Sequence, residues 1–307
     1  MDEMLILNRS GKSQKSRAPI VLVLIALALG GGGWLGFRFW SDHSASRKEA
    51  AKKAVEQAAR TAEAAAETAR LARDPAPTLL NEARRLQASG DLSSAREKAY
   101  EALSVVVQPL NRAAIETFLG ELNILTVMNP HPMQEKLEYT IARGDVLAVL
   151  ARRNKTTVDL LAKSNNIRGS MIRPGDRIRI LNGTFSIQVS LSENTLTLFL
   201  NDRFFKRYRV GTGQYQKTPP GEFRITDRIA KPTWWRPDGK EIPFGHPENV
   251  LGTHWLSLDL KGYGIHGTWK PESVGKQESA GCIRLLNPDI EELYTLLPVG
   301  VSVRIAP

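Results

Sequence analysis

The chain has one cysteine in 307 residues, so no intramolecular disulfide can form, and the lone thiol must be explained by packing or by reactivity. Histidine is also scarce. His43, His131, His246, His254 and His266 show no His-x-x-x-His spacing and no Cys/His zinc pattern, so neither a metal nor a cofactor is expected. Aromatic residues make up 7% of the chain and carry no RNA-recognition signature, so the net charge of +10 is not read as the mark of a nucleic-acid binder. That charge suits work beside an anionic polymer or a membrane surface. No cysteine stands at the end of the apolar N-terminal run, so there is no site for a lipoprotein-type acyl anchor. Apolar residues are present in ordinary proportion, 42%, and the length allows two or three small domains.

The run from Ala18 to Phe37, APIVLVLIALALGGGGWLGF, holds about twenty residues without a charge, the length a helix needs to cross a bilayer. Trp34 and Trp40 are candidate interfacial anchors at its far end. A cleaved signal peptide usually has an apolar core of about 7 to 15 residues, which Gly30 to Gly33 would allow; the full length favours a retained anchor over 18–40. Arg9, Lys12, Lys15 and Arg17 face Arg38, Arg47, Lys48, Lys52 and Lys53 across the run, so charge counting alone does not orient it. A short basic tail before a first apolar segment usually stays in the cytoplasm. Residues 1–17 are therefore read as a cytoplasmic tail, with everything after Trp40 on the periplasmic or extracytoplasmic side of the inner membrane.

Residues 41–77 read as an Ala-rich helical stalk. Between Ala45 and Ala72 there is no Gly or Pro, and about 28 helical residues at 1.5 Å each would span about 40 Å. Its apolar positions are mostly alanine, which suits a solvated spacer better than a leucine coiled coil. Asp74-Pro75-Ala76-Pro77 breaks the pattern. Residues 78–131 then read as a connector of two or three helices, with Gly90-Asp91-Leu92 as the turn between Leu79 to Ser89 and Ser93 to Val106. The unit LNEARRLQASGDLSSAREKAYEAL is weakly similar to one tetratricopeptide hairpin, but no second copy follows at a fixed period.

Over 137–182 the periodicity predicts strand, helix, helix, strand, with Pro174-Gly175 turning into the last strand. Tyr139-Thr140-Ile141, Gly144-Asp145, Asn165-Asn166-Ile167 and Ile172-Arg173-Pro174-Gly175-Asp176 resemble the LysM module, a small α+β (βααβ) unit. The resemblance implies binding to N-acetylglucosamine-containing glycan such as peptidoglycan; a linker domain of the same shape that binds nothing is the alternative.

From Thr184 onward short alternating runs dominate: Ile187, Val189 and Leu191; Leu196, Leu198 and Leu200; then Phe205, Tyr208 and Val210, with Asn201-Asp202 as a hairpin turn. Only Pro288 to Leu296 reads helical, with Asn287 as candidate N-cap. Cys282 lies in Ser279-Ala280-Gly281-Cys282-Ile283-Arg284, and His266 lies sixteen positions upstream in Gly264-Ile265-His266-Gly267-Thr268. A free thiol is mostly protonated at neutral pH, and a neighbouring imidazole can take its proton and hold the ion pair. Gly281 lets the backbone approach closely, and the amides of residues 280 to 282 are candidate oxyanion donors.

These segments, preceded in order by Gly211-Thr212-Gly213, Thr218-Pro219-Pro220-Gly221-Glu222-Phe223 and Asn249-Val250-Leu251-Gly252-Thr253, are together similar to the YkuD-type L,D-transpeptidase catalytic domain, here 184–307. The resemblance implies a mainly-β, sandwich-like fold and a peptidoglycan L,D-transpeptidase that forms 3-to-3 cross-links. It makes Cys282 the nucleophile, His266 the base and the carbonyl of Gly267 the group that orients the imidazole; Asp259 is a less favoured candidate for that place. Arg284 is a candidate partner for a substrate carboxylate or else a structural arginine, and Ser279 either binds substrate or closes the turn. Many relatives have histidine where this chain has Ala280. Trp234, Trp235 and Phe244 are candidates for a substrate channel or lid, whereas Trp255, in the run Trp255-Leu256-Ser257-Leu258, is assigned to the core. Partners implied are stem peptides and glycan strands. Water or a lipoprotein lysine as acceptor, or an inactive wall-binding scaffold, are the alternatives.

Overall fold

The computed structural model describes residues 47–70, 73–169 and 171–307. The expected tail and anchor lie outside the described residues; among those described, no helix is long and apolar enough to cross a membrane. Residues 47–70 form helix α1, exposed along its whole length. Glu49–Lys53, Glu56–Arg60 and Glu67–Arg70 are spaced three or four apart and pair at 3.8, 2.7 and 3.5 Å. With no buried face, α1 rests on alanine propensity and on such pairs, worth about 0.3–0.5 kcal/mol each.

The remaining residues form a separate compact unit from Arg73 to Pro307. It begins with three helices: α2 (Ala76–Ala88), α3 (Leu92–Val105) and α4 (Pro109–Val127). Asp91 caps α3 by accepting from the Ser94 amide at 3.0 Å, which is why the chain restarts a helix directly after Gly90. Asp74 accepts from the amides of Ala76 and Gln108 at 3.0 and 3.1 Å and from the Asn111 side chain at 3.0 Å, tying the start of α2 to the start of α4.

A two-stranded antiparallel sheet follows, β1 (Lys136–Thr140) with β2 (Arg177–Leu181), enclosing α5 (Leu147–Arg153) and α6 (Val158–Ser164). Ile141, Leu147, Leu150, Leu161, Ile178 and Ile180 make its core. Leu160 faces away from that core and joins the larger one below.

The C-terminal part contains β3 (Phe185–Ser190), β4 (Thr195–Leu200), β5 (Arg203–Arg209), β6 (Thr212–Gly213), β7 (Gly221–Ala230), β8 (Trp234–Trp235), β9 (Glu241–Ile242), β10 (His254–Leu258), β11 (Gly264–His266), β12 (Gln277–Ser279), β13 (Ile283–Arg284), α7 (Asn287–Leu296) and β14 (Ser302–Ala306). Eight strands form one hydrogen-bonded series, β13-β11-β10-β7-β14-β3-β4-β5. The long strand β7 joins its halves: residues 221–224 pair with β14 and residues 225–230 with β10. Leu196, Leu198, Phe205, Leu256, Ile265 and Val303 pack with Ile290, Leu293 and Leu296 of α7. Asn201 and Asp202 both have positive φ, 50° and 60°, as a two-residue hairpin turn requires.

The edge strand β5 would expose unpaired backbone, which invites association. The helices at 76–127 cover it. Tyr100 Oη donates to the carbonyl of Phe204 at 2.8 Å, and Asn123 Nδ2 to that of Phe205 at 2.9 Å. Arg96, 3% exposed, donates to Asn123 Oδ1 at 2.8 Å and pairs with Glu135 at 3.1 Å.

One expectation is overturned at α7. Asn287 does not cap it: the residue before the first turn is Leu286, with no side-chain cap. Asn287 Oδ1 instead accepts from the Thr253 amide at 3.1 Å, a bond across the fold in place of a local one. Pro288, which lacks an N–H, reduces the first turn's need for a cap.

Candidate active site

Strand β11 lies between β10 and β13, so His266 is in register with Trp255 on one side and Arg284 on the other. Leu256 and Ile265 point into the core, and strand alternation puts Trp255 and His266 together on the opposite face. Their rings stack at 5.4 Å with 20° between planes. Trp255 is therefore a platform for the imidazole and not a core residue, contrary to its sequence assignment.

His266 Nδ1 is 2.6 Å from the carbonyl oxygen of Gly267. A carbonyl only accepts, so Nδ1 carries the hydrogen and Nε2 of the neutral ring is the free base. The ring is 2% exposed, and burial pushes its pKa down to about 4; the Arg284 charge adds to this, while the carbonyls of Gly267 and Leu251 oppose it. Gly267 is fixed in turn by its amide, which donates to the carbonyl of His254 at 3.2 Å. Asp259 is not part of this arrangement. Its carboxylate accepts from the Arg224 amide at 2.9 Å, at the other end of β10.

Cys282 is half-buried. Burial raises its thiol pKa, while the Gly264 backbone and the Arg284 charge act in the opposite direction. Its thiol donates to the carbonyl of Gly262 at 3.6 Å, and no hydrogen bond joins it to His266 among the described residues. Burial disfavours the charged form of both groups, which favours the protonated thiol and the neutral imidazole.

The loop carrying Cys282 is held from several sides. The Ser279 hydroxyl donates to the carbonyl of Cys282 at 2.7 Å and accepts from the Gly281 amide at 3.1 Å, so Ser279 closes the turn and its hydrogen-bonding capacity is used there. The Gly281 amide is consequently unavailable to an oxyanion, whereas the amides of Ala280 and Cys282 have no partner among the described residues. Gly281 has φ +135°, and a Cβ there would lie 2.8 Å from the Tyr263 ring and 3.1 Å from the Lys217 carbonyl. Thr218 Oγ1 donates to the Gly281 carbonyl and accepts from the Gly213 amide, each at 2.8 Å. Arg284 and Gly211 exchange backbone bonds at 2.8 Å. Asn249 bridges the carbonyls of Pro232 and Ile242 at 2.9 Å and accepts from the Leu251 amide at 2.9 Å, shaping the segment whose carbonyl reaches His266.

All five spaced motifs therefore converge on the Cys282 and His266 loops. The sequence reading missed the separate roles of Thr218, Asn249, Trp255 and Asn287. Only Trp255 had a usable signal, its phase opposite to Leu256 and Leu258; hydrogen bonds between distant loops have no periodicity to read. Arg284 Nε is buried without a partner among the described residues. Of the candidate channel or lid residues, Trp234 and Trp235 form β8, paired with β9, Trp235 is 66% exposed, and Phe244 meets Trp269, which directly follows the His266-Gly267-Thr268 motif, at 6.2 Å.

A buried histidine oriented by a backbone carbonyl, on a strand adjoining the cysteine loop of a mainly-β sheet, makes this the candidate active site. Residues 184–305 match the model of the L,D-transpeptidase catalytic domain, and residues 139–181 that of the LysM domain. The chain is 36% identical over 180 residues to a putative L,D-transpeptidase, YkuD, of Bacillus licheniformis, covering 56% of this chain and 99% of that protein. Against YkuD of Bacillus subtilis it is 35% identical over 177 residues, covering 55% and 98%. A further Bacillus subtilis protein, the putative L,D-transpeptidase YqjB, is 40% identical over 123 residues, covering 38% and 68%. The chain belongs to the L,D-transpeptidase family, with a LysM domain ahead of its catalytic domain.

Proposed function

We propose that this transpeptidase cross-links peptidoglycan by a cysteine acyl-enzyme, with Cys282 as nucleophile and His266 as base. The observation that carries this reading is the 2.6 Å bond from His266 Nδ1 to Gly267, which puts the hydrogen on Nδ1 and leaves Nε2 of this buried ring to accept. The thiol's 3.6 Å bond to Gly262 is weak enough to be exchanged for one to Nε2 when substrate enters. Cys282 Sγ attacks the carbonyl of the third stem residue while its proton passes to Nε2. The oxyanion is met by the free amides of Cys282 and Ala280. Collapse breaks the C–N bond, and the departing D-alanine amine takes the proton from His266, leaving a thioester. The side-chain amine of a second stem then attacks, gives a proton to His266, and releases the thiol as the 3-to-3 amide forms.

In this reading Gly267 orients the imidazole and Arg284, with a guanidinium atom free of partners, receives a substrate carboxylate. The LysM domain holds glycan, and residues 18–40 anchor the chain in the inner membrane with the catalytic domain outside the cytoplasm, which would raise the local concentration of wall polymer. Muropeptide mass spectrometry of cells expressing the wild type or Cys282→Ala tests it. Three-to-three dimers are expected only with the wild type, and equal yields from both would refute the cross-linking reading.

A further inference from the structure

The LysM domain is docked on the catalytic domain through α6 and α7. The Thr157 hydroxyl donates to the carbonyl of Thr295, Lys163 Nζ donates to Thr295 Oγ1 at 3.1 Å, and Arg228 pairs with Asp159 at 3.3 Å. Beside this seam the two domains leave a cavity of about 580 Å³ between the α5–α6 turn, strand β7 and the segment 298–302. It lies within the range of small-ligand clefts, roughly 300–1,000 Å³.

Its lining is basic and unbalanced. Arg152 and Lys155 come from the LysM side and Arg224 and Arg228 from the sheet. Among the described residues, the side chains of Arg152 and Lys155 have neither an ion pair nor a hydrogen bond, Arg224 reaches only the carbonyl of Gly300 at 3.3 Å, and Arg228 alone has a carboxylate partner. Two buried polar atoms of the lining are also unmatched: the hydroxyl of Thr156, a residue 7% exposed, and Nε of Arg228. Buried polar groups in native folds almost always find partners, so unmatched ones mark a place where something else supplies them. Between the charges the wall is apolar, with Ala148, Ala151 and Val299 among its residues. Guanidinium groups around small apolar side chains fit a short acidic peptide with small side chains, each carboxylate taking a forked pair of N–H donors.

We infer that this seam is a second binding site for the carboxylates of a peptidoglycan stem peptide, separate from the one that reacts at Cys282. The inference rests on the wall substrate proposed above. A stem bound there stays unreacted and fixes the strand it hangs from, so that binding by the LysM domain and delivery to the cysteine act from one compact unit.

The test uses the full chain in detergent micelles with Cys282→Ala, so that nothing turns over, and valine methyl groups labelled for NMR. Val158 and Val299 line the cavity and report its occupancy locally. A soluble disaccharide-tetrapeptide should shift both signals saturably. Arg152→Gln combined with Lys155→Asn, both exposed positions, should weaken that binding at least tenfold; asparagine suits the positive φ of Lys155. A neutral N-acetylglucosamine tetramer should leave the two signals in place. No shift, a shift unaffected by the double substitution, or an equal response to inorganic phosphate at the same concentration would each overturn the inference. Carbapenem acylation of the wild-type chain, measured in parallel, bears on Cys282 alone, so the two readings fail independently.

Discussion

The acid limb of acylation is the sharpest consequence of the buried histidine. Displacing the His266 pKa from 6.5 to about 4 corresponds to roughly 3 kcal/mol against the imidazolium. At pH 5 a ring of pKa about 4 is about 90% neutral, whereas an unperturbed one would be about 3% neutral, a difference of roughly 30-fold in available base. The rate of thioester formation with a carbapenem, followed by intact mass, is therefore expected to be nearly flat from pH 5 to 8.5. It should fall only as pH approaches 4. The upper limit follows from the thiol, whose pKa is raised. The same displacement acts on stability: the unfolded chain binds the proton from about pH 6.5 downward and the folded chain only near 4, so stability declines as pH falls through that window. Circular dichroism at each pH confines the rates to folded protein. A half-maximal point near pH 6.5 would refute the buried neutral imidazole, and a tenfold rise per pH unit would refute base catalysis in favour of free thiolate.

Gly281→Ala should cost about 1–3 kcal/mol in chemical denaturation and slow acylation at least tenfold, because its φ is forbidding and its Cβ would meet the Tyr263 ring; an active, equally stable variant would show that the loop can shift. Arg96→Met should destabilise the chain by about 3–5 kcal/mol, since it strands the Glu135 carboxylate in a largely buried site, and adding Glu135→Gln should recover part of the loss. Lys136 is buried against the carbonyls of Thr126 and Asn129, and burial, with Arg179 and Arg96 nearby, lowers its pKa to about 8. The unfolded chain then holds the extra proton between pH 8 and 10.5, so this residue makes stability rise with pH across that window, by roughly 2 kcal/mol in urea titrations at pH 8 and 10. Lys136→Met should lack that rise, and the same slope in both proteins would contradict it.

Elements whose order comes from a local period were legible in the sequence. The alternation of Leu196, Leu198 and Leu200 gave a strand, Asn201-Asp202 gave its turn, and the spacing of Leu147, Leu150, Leu160 and Leu161 gave two short helices between strands. That the Cys282 and His266 loops come together on neighbouring strands was legible only through motif order, because nothing in a sixteen-residue separation fixes the pairing of β11 with β13. Charge states were out of reach: a histidine near a cysteine suggests an ion pair until burial is known, and burial depends on Leu251, Trp255 and the loops that close over them. Asn287 was misread for a related reason. Its position before a proline satisfies the local rule for a cap, yet the amide of Thr253 competes for the same oxygen. The helices at 76–127 resembled a repeat unit in sequence, whereas their buried polar residues, Arg96 and Asn123, are spent on the edge of the sheet.

Asn287 Oδ1 lies 2.3 Å from where a Cβ on Gly252 would be and 2.2 Å from where one on Gly267 would be. One oxygen thus fills the space of two side chains, and at Gly252 the backbone of Gly267 and Thr268, 2.4 and 2.6 Å from that Cβ, closes it a second time. A methyl group at either glycine would expel the asparagine and release the Thr253 amide, and a bulkier residue at 287 would press on both backbones. Random mutagenesis screened for acylation should therefore recover changes at 267 only together with a smaller residue at 287, and none at 252, where φ is +66° and the clash with the backbone of Gly267 and Thr268 remains.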